Sequence, residues 1–218
     1  MYPFIAQMLC SALIWSSAHA GTVRLEAKDG QAIVADHSGS GVHGVILIHG
    51  QGRTASDWSS LSQTLVSAGH QVLAIDLRGH GRSKAPGMDA EEAGPRMAGD
   101  VAAAVAWMRG NGVTELSLVG AELGANLALQ TASSDADIRR LVMLSPGLNI
   151  GGVRVVEERL RAMNGPAKPT DFARNPHLVH HLTGPAAFTD GVERALSAMG
   201  VPALHGDRRL YSRYPKTI

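Results

Sequence analysis

The chain has 218 residues, 44% of them hydrophobic, with 20 Lys and Arg against 19 Asp and Glu and a formal net charge of +1. Both signs are scattered along it, which excludes the basic patch that a nucleic-acid or anionic-membrane partner would require. Its single cysteine, Cys10, excludes a disulfide framework, so packing alone must hold the domain together.

Residues 1–20 are set apart from the rest. The run FIAQMLCSALIW is apolar but short for a bilayer span, and Ala18-His19-Ala20 follows as an A-x-A cleavage pattern. We expect a secretory signal peptide over 1–20, an exported product (periplasmic or secreted) and no stable membrane anchor after cleavage. Leu9 before Cys10 is too bulky for a lipoprotein signal. The n-region carries no Lys or Arg, and the competing reading is a buried N-terminal helix. Residues 21–218 are enough for one domain with a substantial core.

From Thr22, TVRLEA and QAIVADH alternate across a Lys28-Asp29-Gly30 turn and read as a hairpin. Residues 44–50, GVILIHG, form a solid aliphatic run of the kind buried on both faces of a parallel sheet. The spacing of Trp58, Leu61, Leu65 and Val66 predicts a helix capped by Ser56. A strand follows over 71–77, an alanine-rich helix over 90–109, a strand over 116–119, a small-residue helix, and a strand over 139–145. This alternation implies an α/β fold, a mostly parallel sheet with helices on both faces, whose ligand sites lie at the carboxyl ends of the strands.

Three motifs fall on those strand ends. His49-Gly50-Gln51-Gly52 ends the third strand, and Asp76-Leu77-Arg78-Gly79-His80-Gly81-Arg82-Ser83 follows the next. Gly120-Ala121-Glu122-Leu123-Gly124 is a tight turn between a strand and a helix. In this order they resemble the alpha/beta-hydrolase family over residues 22–150. The resemblance implies a nucleophile elbow centred on Glu122, where the family normally has Ser. It also implies an oxyanion hole formed by the backbone N–H groups of Gln51 and Leu123. Asp76, Arg78, His80 and His49 read as structural parts of their loops. Ser145 ends a strand without the glycine-flanked elbow pattern, so no nucleophilic role is assigned to it.

Glu122 changes the chemistry that the resemblance implies. A Ser hydroxyl attacks an acyl carbon once a His takes its proton, whereas a carboxylate attacking an ester gives an anhydride, a poor intermediate. The family branches that use a carboxylate, the dehalogenases and epoxide hydrolases, carry the shorter Asp. Alternatively the helix N-terminus stabilises Glu122 as an internal anion, worth on the order of 0.3–1 kcal/mol when exposed, and the site is silent or only binds.

Residues 151–218 read as a divergent C-terminal part of the same domain, beyond a hydrolase-like core over 21–150. Residues 151–163 fit a helix with Val155, Val156 and Leu160 inward, while 164–183 is polar and proline-rich with no clear period. If the family's triad survives, Asp190 is the orienting acid and His205, in a His-Gly pair, the base. His177, His180 and His181 lack the carboxylate or cysteine that would complete a zinc site, so neither metal nor cofactor is expected. The loss of pattern after residue 163 would also follow from a shift of reading frame, which translating the gene's other two frames tests. The function expected is hydrolysis of a small ester-like molecule, with a catalytically silent binding protein as the alternative. No oligomeric state is assigned.

Overall fold

The computed structural model describes residues 20–147, 149–154 and 178–182. The hairpin expected at the start is present, with β1 (Gly21–Glu26) antiparallel to β2 (Ala32–Ser38). Behind it, β3 (His43–Ile48), β4 (Gln71–Ile75), β5 (Glu115–Ala121) and β6 (Ile138–Leu144) run parallel, and β2 joins them antiparallel to β4. β9 (Leu178–Leu182) lies parallel beyond β6, and the seven-stranded order is β1-β2-β4-β3-β5-β6-β9. The inner strands are aliphatic because both faces are covered. Val45, Leu47, Val72 and Ala74 point to one core, and Ile46, Ile48, Leu73 and Ile75 to the other.

Helix α1 (Ser59–Ser67) covers the first face through Leu61 and Leu65, beside Trp58. Helices α2 (Ala90–Gly110) and α3 (Leu123–Ala132) cover the second. In α2 the buried residues Ala93, Met97, Val101, Ala104, Val105 and Met108 make one stripe at helical spacing. Asp89 caps this helix by accepting the Glu92 N–H at 2.8 Å, and Pro95 is tolerated near its start.

Three expectations are corrected. Ser56 does not cap α1: it lies inside a 3-10 turn, Ala55–Trp58, that leads into the helix, where its hydroxyl pairs with Thr54 at 2.8 Å. The described start of the stretch read as helix from residue 151 is instead a hairpin, β7 (Asn149–Ile150) and β8 (Val153–Arg154), because Gly151 and Gly152 both adopt positive φ and turn the chain back. Within the stretch read as aperiodic, 178–182 is a strand, made so by the unpaired edge of β6 rather than by alternation of its own. Val155, Val156 and Leu160 lie outside the described residues. Among the described residues no helix is long and apolar enough to cross a membrane.

Candidate functional site

Two strand-end loops brace the site. The carboxylate of Asp76 accepts the Ala55 N–H at 2.7 Å and the Arg82 Nε at 2.7 Å, while the Ser83 hydroxyl donates to the Asp76 carbonyl at 2.6 Å. Burial opposes its ionisation, but these donors outweigh it and hold Asp76 below the usual carboxylate range. Arg78 is wholly buried, its Nε and Nη2 on Asp100 at 2.8 and 2.6 Å, with Asp29 as a second partner. Burial raises the pKa of Asp100 even with Arg78 beside it. His80 donates through Nδ1 to the Arg78 carbonyl, 3.0 Å away. These groups are occupied in holding the loop together.

His49 fixes the next loop. Its Nε2 accepts the Leu77 N–H at 3.0 Å and its Nδ1 lies 2.7 Å from the Gly50 carbonyl, an arrangement that only the neutral ring protonated at Nδ1 satisfies. Burial pushes its pKa down to about 4. The Gly50 carbonyl also accepts the Arg53 N–H at 3.2 Å. Since every described peptide is trans, pinning that carbonyl turns the Gln51 N–H to the opposite side.

Position 122 joins β5 to α3. Glu122 has φ 49 and ψ −112, outside the wells open to residues with a side chain. The backbone is held there from both sides: its N–H donates to the Leu144 carbonyl at 2.8 Å, and its carbonyl accepts from Ala125 at 3.0 Å and Asn126 at 3.2 Å. The turn closes only because its flanks lack side chains. A methyl on Gly120 would press on the Gly124 carbonyl, and one on Gly124 would lie 2.6 Å from the His49 carbonyl.

The carboxyl of Glu122 accepts no hydrogen bond as a cap of α3. It rests against Gly50, where an added methyl would be 2.7 Å from Oε2. The side chain is half-buried rather than in bulk solvent. Burial raises its pKa, and the charge of Arg53 pulls it part of the way back. The structure thus brings Glu122, the residues around Gln51 and the first residue of α3, Leu123, to one place. Asp190 and His205 lie outside the described residues. Ser145 shares a φ of 49, yet among the described residues no helix follows it up to Arg154.

Sequence reasoning did not single out Arg53 or Asn126. The first has no motif; the second is wholly buried, and only its distant carbonyl partners, Gly147 and Val153, show what it does.

A sequence profile of the Alpha/beta hydrolase family matches residues 45–217. The match runs through the tail where pattern was lost. The chain is similar to protein phosphatase methylesterase 1 of Bos taurus, 33% identical over 45% of this chain and 26% of that protein. It is also similar to a 2-hydroxy-6-oxononadienedioate/2-hydroxy-6-oxononatrienedioate hydrolase of Cupriavidus pinatubonensis, 34% identical over 33% of this chain and 27% of that one. The similarity therefore spans about a quarter of these relatives' length. Among solved structures, epoxide hydrolase A of Mycobacterium thermoresistibile has 26% identity and a TM-score of 0.52 over 67% of this chain and 46% of its own. An esterase of Pyrococcus furiosus, at 24% identity, shares the fold with a TM-score of 0.54 over 60% of this chain and 53% of its own.

Proposed function

Because the chain belongs to the alpha/beta hydrolase family, we propose that it is an exported hydrolase of small ester-like molecules in which Glu122 stands at the elbow position and works as a carboxylate base. The observation that carries this reading is the backbone of Glu122, held at φ 49 between β5 and α3. Such a conformation costs about 1–3 kcal/mol for a residue with a side chain and persists where the surroundings enforce it, often at functional sites.

As a base, Glu122 avoids the anhydride. It takes a proton from a water molecule as the water oxygen attacks the ester carbonyl, and the Gln51 and Leu123 N–H groups hold the oxyanion that forms. Collapse of that intermediate breaks the ester bond, and the departing alkoxide recovers the proton from Glu122. A pKa raised by burial suits a base, since it strengthens the pull on the water proton. Asp190 and His205 carry no proton in these steps; the resemblance implies them as an orienting acid and a base, roles that belong to a Ser nucleophile at position 122. No cofactor takes part.

The test is turnover of p-nitrophenyl acetate by the purified protein and by Glu122→Gln. The expected result is measurable hydrolysis that falls by roughly 100-fold or more in the variant, the usual effect of losing a positioned base. Unchanged turnover in the variant would overturn the role of Glu122. A second reading is a binding protein with a silent site, favoured by the exchange of Ser for a carboxylate. Its outcome is no turnover and no labelling by a fluorophosphonate, with Glu122→Ser then creating esterase activity if the oxyanion donors and His205 are in place. Export is tested by fractionation, with a mature N-terminus at Gly21 expected.

A further inference from the structure

One outer edge of the sheet is β1, which ends the strand order on the side of the first hairpin. In that hairpin Arg24 stands across from Val34. Val34 turns both of its backbone groups the other way, where its carbonyl accepts the Asp76 N–H at 2.8 Å and its N–H donates to the Ser83 hydroxyl at 2.8 Å. Residues that do not bond to each other across an antiparallel ladder point their groups away from the pair on both strands, so Arg24 presents its N–H and C=O to the open side. The Ala27 N–H, donating to the Gln31 carbonyl at 2.9 Å, fixes the same phase: Val23, Leu25 and Ala27 bond inward, while Thr22, Arg24 and Glu26 have their backbone groups outward. Among the described residues no strand pairs with that side.

Such an edge is a template for another strand, and proteins that keep it single interrupt it with proline, a bulge or charges set to repel. β1 has neither proline nor bulge, and it pairs with β2 in unbroken register. Its charges are of both signs. The exposed side chains of Arg24 and Glu26 lie on one face of the sheet, flanking Leu25, which is buried in the core on the other. When two copies of the strand meet antiparallel about a twofold axis at Leu25, Arg24 of each lies opposite Glu26 of the other. The outward N–H and C=O groups of these residues then bond reciprocally, and Val23, partly buried in the single copy, gains Ala27 of the second copy as a neighbour. Sliding the copies by two residues in either direction sets Arg24 against Arg24 or Glu26 against Glu26. The charge pattern therefore selects one register.

We propose that β1 is a homodimerisation edge, on which two copies of the chain join their sheets antiparallel with Arg24 of each facing Glu26 of the other. Main-chain bonds supply the affinity and the charge pairs the register. A single strand edge is a small interface, so the dimer is weak and depends on concentration. The elbow at the end of β5 lies four strands away in the sheet, about 19 Å at the usual spacing, so both sites stay open and the dimer forms whether or not a reaction occurs at Glu122.

Sedimentation equilibrium of the purified protein over a concentration series tests it. The native chain is expected to pass from monomer to dimer as concentration rises and to go no further, because the closed pair occupies the edge of both copies. Arg24→Glu or Glu26→Arg alone turns both attractive cross-strand pairs into repulsive ones and is expected to weaken the dimer by roughly tenfold or more. Arg24→Glu combined with Glu26→Arg in one chain restores the pairs and is expected to dimerise as the native chain does. An equimolar mixture of the two single variants is expected to form a heterodimer at concentrations where neither associates alone, which shows that both remain folded. A native chain that stays monomeric throughout, single variants that associate as tightly as it does, a double variant that fails to recover, or growth beyond the dimer overturns the proposal.

Discussion

Replacing Glu122 by Gly should make the protein more stable, against the usual effect of placing glycine in an ordered segment. At φ 49 and ψ −112 a residue with a Cβ is strained, and glycine is not, so the substitution releases about 1–3 kcal/mol. It also removes a half-buried carboxyl whose ionisation burial disfavours. Against this stands the greater freedom of glycine in the unfolded chain, about 0.5–1 kcal/mol. The net expectation is a gain of about 1 kcal/mol, or a rise in Tm of roughly 2–4 °C for a domain of this size. Urea unfolding near neutral pH measures it, with Glu115→Gly as the control. Glu115 begins β5 with ordinary strand geometry, and the same exchange there should cost about 0.5–1 kcal/mol. Opposite signs for one chemical change would isolate the backbone strain. Should Glu122→Gly lose stability as Glu115→Gly does, the strained elbow, and the functional argument resting on it, would be refuted.

Gly124→Ala should cost about 3 kcal/mol or prevent folding, because its methyl meets the His49 carbonyl at 2.6 Å and rigid backbone lies on both sides; thermal melts read this directly. Arg78→Met should cost about 3–5 kcal/mol near neutral pH by leaving the wholly buried Asp100 without its guanidinium, and Asp100→Asn added to it should restore part of the loss. His49 sets an acid limit. Its folded pKa is depressed from 6.5 to about 4, so the stability present above 6.5 is lost as pH falls towards 4, by up to about 3 kcal/mol. Urea midpoints across that window should fall in the native protein and stay flatter in His49→Gln. The pKa of Glu122 shifts the opposite way, so its contribution is present at low pH and is lost as pH rises through the raised value, and Glu122→Gln should gain stability above it.

The order of strands and helices to Leu144 was legible in the sequence because each inner strand is an uninterrupted aliphatic run and each helix shows a stripe at its own period. The elbow was legible for a related reason: Gly120 and Gly124, two residues either side of Glu122, leave room that only a tight turn needs. The structural roles of Asp76, Arg78 and His49 followed from their places in the motif loops. Other features left no such trace. The strand Leu178–Leu182 has two adjacent histidines and no alternation, and it is a strand because β6 offers it an edge. The hairpin Asn149–Arg154 was hidden among residues with helical spacing, since two consecutive glycines govern the backbone there more strongly than the neighbouring valines do.

The sequence by itself determined an α/β chain with a glycine-flanked turn presenting residue 122 at the carboxyl end of the sheet, because local periodicity and the absence of a Cβ act over a few residues. Only the tertiary structure decided that the carboxyl of Glu122 rests on Gly50 instead of capping α3, and that Asn126 holds a hairpin beside Gln51 and Leu123. Those contacts join residues far apart in the chain, and their distances are set by the sheet register and by how the helices pack on it, which no local pattern encodes.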